Sequence, residues 1–121
     1  MKSEYTGIKR ILKAFTYSFD GFKAVFQSES AFRQDLLFCL VFGVVFCFLP
    51  LTASARAFLF FALFLIVFME LINTAIETVI DRIGEEYHPL SKKAKDIGSL
   101  LVLLAFVHFF AASAIILFPL F

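Results

Sequence analysis

Glycine is scarce in this chain of 121 residues, and the five glycines stand singly along it. They form neither a G-x-x-x-x-G-K-[ST] loop nor a G-x-G-x-x-G turn, so the common nucleotide-binding loops are absent. The chain also has no excess of one charge, because its eleven Lys and Arg and ten Asp and Glu give a net charge of +1. The composition therefore shows no basic excess of the kind that indicates nucleic-acid binding.

Neither a disulfide within the chain nor a cleavable leader is expected. The two cysteines, Cys39 and Cys47, belong to one apolar segment and would stand about 12 Å apart along a helix, too far to be bridged. We expect both to be buried apolar thiols. The first 35 residues carry charges throughout and contain no continuous apolar run of the signal-peptide kind. We therefore expect the chain to be inserted by its own spans.

Apolar residues are abundant, although tryptophan is absent. Hydrophobic residues make up 61% of the sequence, nineteen of them Phe, and the mean hydropathy is +0.92. A small soluble domain could not hide so much apolar surface, which indicates an integral membrane protein. No linker, repeat or low-complexity tract divides the chain, so we expect residues 1–121 to form a single membrane domain.

Three transmembrane helices are predicted over about residues 36–51, 57–80 and 97–119. The preceding region, residues 1–35, has a different pattern, because apolar side chains recur there at three- and four-residue spacing opposite basic ones. These apolar residues are Ile8, Ile11, Leu12, Phe15, Phe19, Phe22 and Phe26. The spacing predicts an amphipathic helix that lies on the membrane surface.

Basic residues orient the three spans. They cluster before the first span, at Lys2, Lys9, Arg10, Lys13, Lys23 and Arg33, and between the second and third, at Arg82, Lys92, Lys93 and Lys95. Only Arg56 marks the other side. The positive-inside rule then predicts a cytoplasmic N-terminus, a cytoplasmic 82–96 loop and a C-terminus outside.

A polar stripe interrupts the second span. Glu70, Asn73 and Glu77 fall on one face at helical pitch, with Thr74 and Asp81 close beside them. A charged group at bilayer depth costs about 3 kcal/mol or more, so such a face normally meets protein, water or a ligand.

The loop beyond this stripe contains signals for helix ends. Gly84 is suited to end one helix, and Pro89 cannot continue it. Ser91 is predicted to cap the next helix.

Two carboxylates and an amide can hold a hard cation such as Mg²⁺, which completes its shell with water and phosphate oxygens. Lys95 or Arg10 could then meet phosphate, and a buried Glu70 could take a proton from a hydroxyl. These groups would suffice for phosphoryl transfer at a membrane surface. The same carboxylates would also serve a small proton or cation transporter in which Glu70 cycles the ion, so the residues alone leave both classes open.

The run MELINTAIETVIDRIGEEYHPLSKKAKDIGS, together with ESAFRQD, resembles the prokaryotic diacylglycerol kinase family. The motif E-x-x-N-x-x-x-E-x-x-x-D followed by A-K-D is highly specific. The resemblance implies an all-α integral membrane homotrimer with three transmembrane helices and an N-terminal amphipathic surface helix. It also implies ATP- and Mg²⁺-dependent phosphorylation of diacylglycerol to phosphatidic acid at the cytoplasmic side of the bacterial inner membrane. Undecaprenol kinases share this fold, but ESAFRQD resembles the diacylglycerol branch more closely.

The resemblance also implies residue roles. Glu70 would be the catalytic base, supported by Asn73 and Lys95, and Glu29 and Glu77 would bind the metal. The nucleotide-contacting positions would be Arg10, Tyr17, Glu29, Glu77, Glu86, Tyr87, His88, Lys95 and Asp96. The lipid-contacting positions would be Arg10, Ala14, Phe15, Thr16, Tyr17, Ser18, Phe19, Lys23, Ala24, Val25, Phe26, Ala31, Phe32, Arg33, Gln34, Asp35, Arg56, Glu70 and Ser99.

The chain departs from the family pattern at two positions that the resemblance assigns to lipid contact. Asp35 stands where Glu is frequent and Phe19 where Trp is frequent, which affects lipid fit and leaves the carboxylates untouched.

A neighbouring subunit is expected to close the site, because three helices cannot surround Glu70 and Glu77 and still hold a nucleotide. Glu29 would complete the metal site of Glu77 on the same or an adjacent subunit. Small residues suited to close helix packing between subunits are Gly98, Ser99, Ala105, Ala111, Ala112 and Ser113. His108 is assigned no role.

Overall fold

Residues 5–121 are described by this computed structural model, and they are helical almost throughout. The elements in chain order are α1 (Gly7–Ser28), α2 (Ser30–Phe48), α3 (Ala53–Ile83), α4 (Pro89–Leu117) and a short 3-10 turn, Phe118–Leu120. By length and composition, three helices could cross a membrane: α2, α3, and α4 with its 3-10 extension. This confirms the all-helical architecture with three helices suited to span a membrane. Lys2, which was counted in the orientation of the spans, lies outside the described residues.

The helices extend beyond the apolar segments that predicted them. α2 begins at Ser30, and α3 runs from Ala53 to Ile83. Hydropathy shows where a helix can lie in lipid, whereas capping and backbone hydrogen bonds determine where it ends. At about 46 Å, the 31 residues of α3 exceed the roughly 30 Å hydrocarbon core, so one end of this helix projects beyond it.

The start of α4 corrects the predicted cap. The N-cap is His88, whose Nδ1 accepts a hydrogen bond from the backbone N–H of Leu90 at 3.1 Å, and Pro89 takes the first helical position. Ser91 was predicted to cap this helix and lies inside it instead. Proline is well suited to that first position because its missing N–H would have no partner there. Gly84 caps the C-terminus of α3, as predicted.

The main packing seam joins α3 to α4. On α3, the buried residues Leu59, Leu63, Ile66, Glu70 and Thr74 follow one another at three- and four-residue spacing. On α4, the buried small residues Gly98, Ala105 and Ala112 repeat every seven positions. A seven-residue repeat keeps one face of a helix against its neighbour. Three of the small residues proposed for contacts between subunits therefore pack within the chain.

The apolar core fills the part of the bundle remote from the 84–88 loop. Phe46 and Phe109 are each 1% exposed, and they pack with Leu59 and Ile66 of α3. Phe42 meets Phe109 edge-on, with ring centroids 5.3 Å apart. Edge-to-face pairs add to the stability that area burial alone provides. The core thereby fixes α2, α3 and α4 as a unit.

The cysteines are both free, as the spacing required. The Cys39 thiol donates to the carbonyl of Leu63 at 3.4 Å and is half-buried. Cys47 is exposed on α2 in this chain, so the expectation of a buried thiol was wrong for this residue.

Candidate active site

Glu70 is buried where the apolar seam gives way to polar residues. It is 6% exposed, the only charged side chain that is buried in residues 5–121. Asp35, in the second turn of α2, comes within side-chain hydrogen-bonding reach of it. Two acidic side chains, one from α2 and one from α3, therefore lie close together at the edge of the apolar seam.

Glu77 lies two turns further along α3 and is held by Asn73. The Asn73 Nδ2 donates to Glu77 Oε1 at 3.4 Å. The negative charges of Asp35, Glu77 and Glu29 are all close enough to act on Glu70. Glu29 is the residue between α1 and α2, so the cluster is assembled from two helices and the α1–α2 junction. The structure thus brings together the predicted base and both predicted metal-binding carboxylates.

The carboxylates are nevertheless not arranged as a closed metal cage. Within residues 5–121, no three His, Cys, Asp or Glu side chains come together closely enough to hold a metal ion. Mg²⁺ commonly uses only one or two carboxylates and takes its other ligands from water and phosphate oxygens. The pairing of a carboxylate (Glu77) with an amide (Asn73) fits that open donor set.

Lysine and aspartate pairs stand at the loop end of α3 and α4. Lys95 Nζ lies 2.9 Å from Asp81 Oδ1 and joins the two helices, and Lys92 Nζ lies 2.6 Å from Asp96 Oδ2 within α4. All four side chains are substantially exposed. Exposed ion pairs of this kind contribute only about 0–1 kcal/mol. An incoming phosphate could therefore displace Asp81 from Lys95.

A cavity of about 550 Å³ opens beside these pairs. Its walls include Glu86, Tyr87 and His88 of the loop together with Lys95 and Asp96 of α4. This volume is within the range of small-molecule sites. Five residues predicted to contact the nucleotide therefore line one cavity, and the cap on α4 fixes the ring of His88 at its edge.

The predicted residues of α1 are not gathered into this cluster. Arg10 and Tyr17 are exposed, and in the described chain α1 packs appreciably only against α2. Also exposed are the predicted lipid-contacting positions Ala14, Phe15, Thr16, Ser18, Phe19, Lys23, Ala24 and Phe26, as well as Ala31, Gln34 and Ser99. Val25 is half-buried. Any role of α1 in the site depends on where this helix lies relative to a membrane or another subunit.

Three predicted lipid-contacting residues, two of them arginines, make contacts within the chain. Arg33 Nη1 donates to the carbonyls of Phe26 and Gln27, which closes the end of α1. Arg56 donates from Nε to the carbonyl of Phe46 at 3.0 Å and from Nη2 to that of Leu49 at 2.9 Å. Cationic side chains at a helix C-terminus satisfy carbonyls that have no partner within the helix.

The third of these residues is Phe32. Arg56 lies fourteen residues from Glu70 on α3, about 21 Å along the axis. Phe32 is 1% exposed and packs edge-on against Phe22, with ring centroids 5.8 Å apart. The structure does not bring Arg56 to the carboxylate cluster, whereas Phe32 lies about one helical turn from both Glu29 and Asp35.

Sequence reasoning missed three partners of the site residues: Asp35 for Glu70, Asp81 for Lys95, and Gly98 for Asn73. One signal for Asp35 was present in the sequence, which is an acidic residue at the start of a predicted span. None was present for Asp81 or Gly98, because helical periodicity identifies the face on which a residue lies but not the residue that it meets on the neighbouring helix.

These features define a small multi-pass membrane protein with a carboxylate cluster at the edge of its apolar bundle and a charged cavity beyond it. The family model for prokaryotic diacylglycerol kinase matches residues 16–117. The chain belongs to the prokaryotic diacylglycerol kinase family.

Named relatives agree with this assignment. The diacylglycerol kinase of Escherichia coli K12 is 44% identical over 107 residues, which cover 88% of each chain. The diacylglycerol kinase of Pseudomonas aeruginosa is 47% identical over 94 residues, covering 78% of this chain and 76% of its own. That of Helicobacter pylori is 42% identical over 106 residues, covering 84% and 79% respectively. The transporter interpretation is thereby replaced by that of an enzyme.

Proposed function

We propose that this protein transfers the γ-phosphoryl group of ATP to the free hydroxyl of diacylglycerol, giving phosphatidic acid and ADP. The observation that carries the proposal is the burial of Glu70 near three other carboxylates in a chain of this family, with a charged cavity that begins about one helical turn beyond Glu77. The lipid oxygen forms a bond to the γ-phosphorus, the bond to the ADP oxygen breaks, and the hydroxyl proton passes to Glu70.

Glu70 is suited to this proton transfer because it lies at the meeting point of an apolar and a polar region. Its neighbours toward the core are Ile66 and Leu63, whereas Asn73 and Glu77 lie toward the loop. A lipid hydroxyl could reach it from the apolar side and a phosphate from the polar side. Asp35, within hydrogen-bonding reach, would orient the Glu70 carboxyl.

Glu77 and Glu29 would hold Mg²⁺ together with the nucleotide phosphates, and Asn73 would fix the carboxylate of Glu77. When bound, the ion would neutralise charge on the transferred phosphoryl group. Lys95 would leave Asp81 and meet the phosphate, which its exposed and weak ion pair allows. Glu86, Tyr87, His88 and Asp96 would line the rest of the nucleotide cavity.

An apolar groove between α2 and α3 supports a lipid substrate. It has a volume of about 400 Å³ and is lined by Leu36, Cys39, Gly43 and Cys47 of α2 and by Val67 of α3, among others. Leu36 is adjacent to Asp35, so the groove begins beside the carboxylate pair. An acyl chain in it would leave the hydroxyl of the lipid near Glu70.

Substrate choice gives the direct test. Purified protein in one mixed-micelle system, with radiolabelled ATP and Mg²⁺, is offered diacylglycerol and undecaprenol at equal mole fractions. We expect labelled phosphatidic acid to predominate. Predominant labelling of undecaprenol would assign the chain to the polyprenol branch, and label in neither lipid would overturn the kinase proposal.

A homotrimer in the bacterial inner membrane, with a cytoplasmic N-terminus and the C-terminus outside, completes the proposal. The 22-residue α1 has no buried residue in the isolated chain. We propose that it lies on the membrane surface, with its apolar side in lipid and Arg10 and Tyr17 near the site of an adjacent subunit.

Mixed trimers test this arrangement. Co-expression of Arg10→Ala chains with Glu70→Gln chains is expected to restore measurable activity, because one chain supplies an intact α1 and the other an intact cluster. The control pair, Glu77→Gln with Glu70→Gln, should not recover, because both changes affect the same cluster. Absence of recovery in the first pair would mean that α1 acts on its own subunit.

A further inference from the structure

Gly98 lies at the closest approach of α4 to the carboxylate cluster. It is buried, and a methyl group built on its Cα would stand 2.2 Å from Asn73 Oδ1 and 3.2 Å from Asn73 Cγ. Real Cβ atoms do not approach other heavy atoms so closely. The space that glycine leaves is therefore occupied by the Asn73 amide.

The two ends of this amide have different surroundings. Nδ2 donates to Glu77 Oε1, whereas Oδ1 is buried and has no hydrogen-bond partner among the described residues. The hydrogen on the Gly98 Cα that a side chain would replace points toward this oxygen. Such weak Cα–H···O contacts recur between packed helices. Turning the amide over would place its NH₂ group against Gly98 and end its hydrogen bond to Glu77.

We propose that Gly98 is a positioning residue for phosphoryl transfer: by having no side chain, it lets the Asn73 amide lie between α3 and α4 and hold the Glu77 carboxylate toward the phosphates. This inference rests on the proposed function of Glu77. Gly98 does not itself touch a substrate. It acts through Asn73, and Asn73 acts through Glu77.

The size of the effect follows from the geometry. Ordinary van der Waals contact begins near 3.4 Å, so a methyl group at position 98 would displace Oδ1 by about 1 Å. A misplacement of about 1 Å at a catalytic group can cost on the order of 100-fold in rate. We therefore expect Gly98→Ala to lower kcat/KM for MgATP by about 10- to 100-fold.

The chain supplies a control in Gly21. This glycine lies within α1, and an added Cβ there would meet no atom of the described residues within 4 Å. Both variants exchange a helical glycine for alanine, which has the higher helix propensity by about 1 kcal/mol. Gly21→Ala should keep activity and thermal stability close to those of the wild type.

The test compares Gly98→Ala, Asn73→Ala and the double variant with Gly21→Ala and the wild type. Turnover and titration with a non-hydrolysable MgATP analogue are measured on folded protein. We expect Gly98→Ala to weaken analogue binding in the wild-type background and to have no further effect once Asn73 is alanine. An equal loss in both backgrounds, or a lower unfolding temperature with unchanged binding by the folded fraction, would show that Gly98 only packs the helices.

These outcomes are separable from a failure of the proposed function. If the wild type phosphorylated neither lipid, the function would fall, yet analogue binding would still report whether Gly98 acts through Asn73. If the wild type is active and the double variant shows additive losses, the function stands and the inference about Gly98 falls.

Discussion

Glu70→Gln is expected to lower kcat for diacylglycerol phosphorylation by about 10²–10⁴-fold, the usual contribution of a general base. The loss should fall on kcat and leave the KM for MgATP within a few-fold of the wild-type value, because the base acts mainly in the transition state. Steady-state kinetics in mixed micelles, with lipid and MgATP varied separately, check this split.

The substitution is conservative for the fold. Glutamine keeps the length of the side chain, and its amide can donate a hydrogen bond to the Asp35 carboxylate that lies within reach of Glu70. The thermal unfolding temperature of Glu70→Gln should therefore stay close to that of the wild type. Asp20→Asn, which removes an exposed carboxylate of α1, serves as the control and should be fully active. Full activity of Glu70→Gln would overturn the assignment of the base.

Glu77→Gln is expected to raise both the Mg²⁺ concentration for half-maximal activity and the KM for MgATP by at least about tenfold. Removing a group that only supports a metal ligand typically costs about 10- to 100-fold in metal affinity, and removing a ligand should cost no less. The amide oxygen of the introduced glutamine can still accept the hydrogen bond from Asn73 Nδ2, so charge is lost while packing is kept. The measurement is a Mg²⁺ titration at fixed ATP.

Glu29→Gln provides the parallel case. Its backbone N–H donates to the carbonyl of Val25 at 2.9 Å, and its side chain does not cap α2, so the α1–α2 junction should survive the change. We expect the Mg²⁺ titration of this variant to shift in the same direction. If neither titration moves, the two carboxylates do not bind the metal and the carboxylate cluster serves another purpose.

The three spans could be predicted because the lipid environment restricts which sequences can cross a membrane. A segment that crosses the bilayer must be apolar over most of its length and must satisfy its backbone internally, which hydropathy and the near absence of charge reveal directly. The stripe of Glu70, Asn73 and Glu77 could be predicted for a similar reason, because helical pitch alone places these residues on one face. Both predictions depend on one helix at a time.

Helix ends were less predictable. The predicted first span began at residue 36, whereas α2 begins at Ser30, and the cap predicted for Ser91 belongs to His88. Composition is averaged over a whole segment, but a cap depends on a single side chain and a single N–H group, for which neighbouring residues compete. Arg56 shows the same limit, because its contact with the carbonyls of Phe46 and Leu49 requires knowing how the 49–52 turn folds.

By itself, the sequence determined that this is a three-span membrane protein, that its second span carries a carboxylate face, and which family its motif resembles. Only the tertiary structure decided that Asp35 lies beside Glu70, that Asp81 pairs with Lys95, and that Gly98 makes room for Asn73. The physical reason is that periodicity gives the direction of a side chain around its own helix. The group it meets depends on how neighbouring helices are packed and aligned, which is decided by contacts distant in sequence.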